Sequence, residues 1–152
     1  MSDYAIEKTT VTAQPVLSQR FQVTPEQLGS KLAEVLPAIF GYASSGAATI
    51  VGQPFSRYHA MGPKLDVEAG IPVAAAAESR GEIVSAELPG GAAATTMHTG
   101  PYDTLHEAHA ALAQWAEANG HAPSGAPWEV YVTDPGSEPD PNKWQTRVYL
   151  PL

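Results

Sequence analysis

The chain has 152 residues, 43% hydrophobic and 16% charged, which is enough for one domain with a real core and carries no signature of disorder. Acidic residues outnumber basic ones 16 to 8, and the resulting net charge of −8 argues against a nucleic-acid surface and favours cationic or neutral partners. The chain contains no cysteine, which excludes disulfides, thiolate metal sites and cysteine nucleophiles. The opening MSDYAIEKTT has neither the basic nor the apolar region of a signal peptide, and the apolar run beginning at Ile71 is too short to span a membrane. A soluble cytoplasmic protein with no membrane partner is therefore expected.

In chain order, two strand-like pieces come first, Ala5–Val11 and Val16–Val23, split by Pro15. Thr24-Pro25-Glu26-Gln27 then reads as a capping box with proline in the first helical turn. Leu28, Leu32, Val35, Leu36 and Ile39 follow at helical spacing, and Pro37 is expected to kink that helix or end its first part. Ser44-Ser45-Gly46 closes the segment. Strands are expected over 52–59 and 65–73, then a hairpin over 82–100 turning at Pro89-Gly90-Gly91. Thr104 to Glu107 forms a second capping box before a stripe of Leu105, Ala108, Leu112 and Trp115, which stops at Asn119-Gly120. The last strands are Trp128–Thr133 and Trp144–Leu150, joined by a loop rich in Pro, Gly and Asp.

The order strand, helix, strand, strand thus occurs twice. The halves also match in sequence: Gly52-Gln-Pro-Phe-Ser-Arg-Tyr58 lies over Gly125-Ala-Pro-Trp-Glu-Val-Tyr131, and Ile71-Pro72-Val73 over Leu150-Pro151-Leu152. The expected architecture is one α+β domain over 1–152, a duplicated βαββ repeat (about 4–77 and 82–152) whose curved antiparallel sheet and two main helices surround a central cleft. In this alignment Glu129 falls opposite Ser56 and Tyr131 opposite Tyr58, so alternation gives one strand face to Ser56, Tyr58, Glu129 and Tyr131. The other face takes Phe55, Arg57, Trp128, Val130 and Val132. Strands disfavour Glu, and a carboxylate among aromatic and β-branched residues needs a partner or water.

The segments HTGPYDTLHEAHAALAQWAEANGH, GAPWEVYVTDP and WQTRVYLPL resemble the GyrI-like small-molecule-binding domain, which also forms the effector-binding half of some bacterial transcription activators. The resemblance is strongest over 97–152 and extends more weakly through SRYHAMGPKLDVEAGIPV and the first helix. It implies two βαββ repeats with curved antiparallel strands around a hydrophobic cleft. It also implies that Glu129, on the WEVY strand, takes the place of the buried Glu that meets cationic aromatic ligands in multidrug-sensing members. The two repeats use up the length, so a stand-alone form without a DNA-binding extension is expected, with no direct nucleic-acid contact. Oligomeric state is left open.

The leading expectation is a cleft that takes amphipathic aromatic ligands, cationic or neutral. Glu129 would anchor them, and Tyr131, Tyr58, His98, Tyr102, Trp115 and Trp144 would line the walls. The resemblance offers two alternatives. One is a cofactor-free hydrolase that opens strained cyclopropane rings in DNA-alkylating natural products, with Glu129 as its catalytic group. The other is a protein-interaction module of the gyrase-inhibitor type. His106 and His109 have a metal-compatible spacing without a third ligand nearby, and LPGGAAATT lacks the lysine of a phosphate loop, so no metal or organic cofactor is expected.

Overall fold

The computed structural model describes residues 4–133 and 137–152; part of the Pro/Gly/Asp loop, 134–136, lies outside the described residues, as do 1–3. In chain order the main elements are β1 Glu7–Val11, β2 Gln14–Val23, α1 Leu28–Tyr42, β3 Phe55–Ala60, β4 Leu65–Pro72, β5 Val84–Leu88, β6 Gly91–Thr99, α2 Leu105–Ala118, β7 Trp128–Tyr131 and β8 Gln145–Pro151. This is the expected α+β pattern of two main helices and antiparallel strands.

Three local expectations are corrected. Pro15 does not split the first strands, because it lies inside β2 opposite Glu87, one residue before the ladder to β4 begins at Val16. The Pro15 carbonyl accepts from Val73 N at 2.9 Å, and the bond that proline cannot return is supplied by the Gln14 side-chain amide, which donates to Val73 O at 2.8 Å. Pro37 does not end α1. Val35 and Ile39 on either side of it are buried against Leu17, Ala69, Ile71 and Val73. Burying each such side chain contributes about 1.5–3 kcal/mol, enough together to offset the ~3 kcal/mol cost of an interior proline. The helix closes instead in a wider turn over Ala43–Ala47, where Gly46 takes φ 111°. The third correction concerns Thr104. Its backbone (φ −102°, ψ 2°) is not extended, its hydroxyl donates to Pro101 O at 3.0 Å, and α2 has no side-chain cap. The first capping box does form, with Thr24 N donating to Gln27 Oε1 at 3.0 Å.

The strands and helices fall into two compact units, a continuous one over Thr12–Gly90 and a composite one made of Met1–Val11 and Gly91–Leu152. In the continuous unit the strands run in the order β3-β4-β2-β5, and α1 covers one face through Leu17, Val35, Ile39, Ala69 and Ile71. In the composite unit the order is β1-β6-β8-β7, and α2 covers one face through Ala94, Leu105, Ala108, Leu112, Val148 and Leu150. Each helix is thus the lid of a four-stranded antiparallel layer, burying its apolar stripe against alternate strand residues. The leading strand of each half is exchanged: β1 pairs with β6, and β5 pairs with β2.

The duplication is visible in the ladders. Phe55 pairs with Gly70 and Ser56 with Ala69 in the continuous unit, while Trp128 pairs with Tyr149 and Glu129 with Val148 in the composite one. These are the pairs that the two sequence matches place over each other. Gly70 itself is fixed by crowding, since a Cβ there would lie 2.1 Å from Leu17 O and 2.9 Å from Ser18 Cα.

Candidate functional site

Strand alternation on β6, β8 and β7 aims Thr96, Val148 and Glu129 at α2 in one cross-strand row, and His98, Thr146 and Tyr131 in the next. Glu129 is 2% exposed, although it carries a carboxylate. Both of its oxygens are engaged. His109, on α2, places Nε2 2.9 Å from Oε1, and the Tyr131 hydroxyl donates to Oε2 at 2.9 Å. The cost of burying the charge is therefore met by one imidazole and one phenol rather than by Lys or Arg.

Beside this pair lies an aromatic group. Tyr102 packs on Tyr131 with ring centroids 5.5 Å apart and on Trp144 with centroids 4.7 Å apart. Trp144 is held by its indole N–H, which donates to Glu138 O at 2.8 Å. Tyr102, Tyr131 and Trp144 are each partly exposed, whereas the carboxylate is buried.

His98 is buried in the same row as Tyr131. Its Nε2 faces Pro101 O at 3.1 Å, and a carbonyl can only accept, so Nε2 carries the proton. Nδ1 then accepts from the Tyr4 hydroxyl at 2.7 Å. The ring thereby ties the segment before β1 to the turn that leads into α2 and to Tyr102.

The structure brings Glu129, Tyr131, Tyr102 and Trp144 into one chain of contacts, with His98 in the row of Tyr131. Trp115 is not part of that chain, because it packs on the α2 core and its ring stacks on His121 at 5.6 Å. Tyr58 belongs to the continuous unit, where it is buried with Val23 and Val67. The reading of the sequence missed His109, which it weighed only as a metal ligand with His106. His106 instead lies in the first turn of α2, with Nδ1 3.1 Å from Asp103 O, and the described residues contain no cluster of three metal-ligating side chains. The signal for His109 lay in its spacing: it falls four residues after Leu105 and three before Leu112, in the buried stripe of α2.

The continuous unit has its own polar group on the face away from α1. Ser18 donates to Glu68 Oε2 at 2.7 Å, and His59 Nε2 lies 2.8 Å from Glu68 Oε1. Burial pulls the nearby Arg57 guanidinium below its ordinary value, and the Glu68 charge acts the other way. Among the described residues no helix is long and apolar enough to cross a membrane.

The chain matches no curated protein sequence. Among solved structures it is similar to the EcmrR C-terminal domain, with 29% identity, a TM-score of 0.86, and coverage of 99% of this chain and 98% of that one. It is also similar to EcmrR in a DNA complex, at 28% identity and a TM-score of 0.86 over 97% of this chain, and it spans 57% of the length of that EcmrR chain. A chain described as a hydrolase from Listeria innocua shares the fold at 15% identity and a TM-score of 0.65, covering 96% of this chain and 90% of that one. The model of the GyrI-like small molecule binding domain matches residues 4–152, and the chain therefore belongs to that family.

Proposed function

We propose that the composite unit binds amphipathic aromatic small molecules, cations above all, with Glu129 as the charged anchor and Tyr131, Tyr102 and Trp144 as the walls. The observation that carries this reading is a buried carboxylate whose two partners, His109 and Tyr131, include no permanent cation. A guest cation at the aromatic group gains cation–π attraction from the rings and Coulomb attraction from Glu129 in a poorly hydrated setting. The family assignment and the likeness to the EcmrR C-terminal domain support small-molecule binding as the general role. The test is calorimetric titration with tetraphenylphosphonium and with an uncharged aromatic of similar size. Preference for the cation supports the reading, and equal affinity removes Glu129 from it.

A second reading is favoured by the same three residues. Glu129, His109 and Tyr131 bring a carboxylate, an imidazole and a phenol within hydrogen-bond reach of one another, the parts of a general acid–base site for cofactor-free hydrolysis. Product analysis after incubation with strained cyclopropane electrophiles decides it. Unchanged starting material from a compound that binds leaves binding alone.

A further inference from the structure

One buried polar atom of the composite unit has no use in the architecture described so far. Thr146 is 0% exposed, and its Oγ1 has no hydrogen-bond partner among the described residues. It stands in the middle of the row His98–Thr146–Tyr131, on the α2 side and two residues after Trp144. A buried hydroxyl left unpaired destabilises the folded protein, so it needs a reason to persist.

The other half of the chain shows what packing alone requires there. The equivalent row of the continuous unit is Phe21–Val67–Tyr58, in which Val67 is fully buried. Thr and Val have nearly the same shape. Where the fold needs only a filler, the position holds the apolar one. The composite unit holds the hydroxyl instead, in the row that also carries Tyr131.

The neighbouring groups define what this hydroxyl offers. The Tyr131 proton goes to Glu129, the Thr96 hydroxyl donates to Ala5 O at 2.8 Å, and the Thr104 hydroxyl donates to Pro101 O. Both nitrogens of His98 are engaged. Among these side chains Thr146 alone holds an uncommitted O–H.

We propose that the Thr146 hydroxyl is a ligand-binding group that donates a hydrogen bond to an oxygen acceptor on the guest, such as a ring carbonyl, while the guest's aromatic body lies against Tyr102, Tyr131 and Trp144. The inference rests on the binding reading above and deepens it. Glu129 selects for charge, and Thr146 selects among charged aromatics for those that carry an oxygen acceptor. Discrimination of this kind is strong because a guest without the acceptor leaves a buried donor unpaired.

The test is Thr146→Val, with Thr146→Ser as the variant that keeps the hydroxyl. Each protein is titrated calorimetrically with tetraphenylphosphonium, which has no acceptor, and with its 4-acetylphenyl analogue and a series of quinolinium cations with and without ring carbonyls. Thermal unfolding is followed in parallel. Thr146→Val is expected to keep or raise the unfolding midpoint, by up to about 4 °C. It is expected to weaken at least one carbonyl-bearing cation about tenfold while leaving the acceptor-free cations unchanged, and Thr146→Ser is expected to retain the preference. Equal losses for both classes, no loss for either, or a lowered midpoint in the Val variant would overturn the assignment. If no cation binds the wild-type protein, the binding reading itself falls, and this inference falls with it.

Discussion

His109 Nε2 and Glu129 Oε1 are 2.9 Å apart, one on the buried stripe of α2 and the other on β7. That contact ties the helix to this strand beside an apolar layer of Ala108, Leu112 and Val148. It therefore fixes the rotation of α2 over the sheet as well as the direction of the carboxylate. Replacing His109 with Ala leaves Glu129 Oε1 buried without that partner. A loss of about 1–3 kcal/mol is expected, read as a lowered urea midpoint. In the background of Glu129→Gln the same replacement should cost less, and that non-additivity measures the pair directly.

Glu129→Gln preserves volume and can still accept from Tyr131, so the fold should survive. Affinity for a cationic aromatic ligand should fall at least about tenfold, equivalent to ~1.4 kcal/mol, while an uncharged analogue should be little affected. Calorimetric titration of both ligands provides the comparison, and an unchanged cation affinity would contradict the anchoring role.

How much of this was legible from sequence follows from what each signal depends on. Glu129 could be found because a period-2 strand makes a lone carboxylate conspicuous and strand neighbours are set by alternation. The register of the two halves was readable for the same reason: Phe55 and Trp128 occupy the same ladder position. His109 was not linked to Glu129, because which helical residue meets which strand residue depends on how α2 is rotated over the sheet. Local patterning does not encode that rotation. Thr146 looked like any alternating strand residue, since whether a hydroxyl finds a partner is a property of the packed layer. The exchange of β1 and β5 was hidden because Pro89-Gly90-Gly91 reads locally as the turn of a hairpin over 82–100, whereas β5 pairs with β2 and β6 pairs with β1 and β8.

Gly70→Ala should be among the more damaging single-methyl changes in the chain. The added Cβ would meet backbone atoms of Leu17 and Ser18 on the adjacent strand, which can move only if β2 and β4 separate. A loss of about 3 kcal/mol is expected from such overpacking, seen as a lowered thermal midpoint. A variant as stable as the wild type would mean the strands separate at little cost.

The Arg20–Asp66 pair carries a specific acid response. Two hydrogen bonds from the guanidinium, at 2.9 and 2.8 Å, hold the Asp66 carboxyl below its ordinary value. A depressed folded-state value means the stabilisation is present above the unfolded carboxylate range, near pH 3.9, and is lost as pH falls through the folded-state value. Because the Arg20 side chain is 57% exposed, solvent screening limits the effect to about 1 kcal/mol or less. Asp66→Asn should therefore lower the urea midpoint slightly at pH 6, and the difference from wild type should shrink at pH 3.

The pairing of Glu7–Val11 with Gly91–Thr95 has a consequence for the birth of the protein. The continuous unit is complete once residue 90 has been made, so it can close while the rest of the chain is still being synthesised. The opening strand cannot join it. That strand must wait, unpaired, until its partner emerges some eighty residues later. During that interval it is an open edge, which the Glu7 and Lys8 charges along it help to blunt. Closing so distant a contact also slows the formation of the composite unit, which holds the Glu129 group.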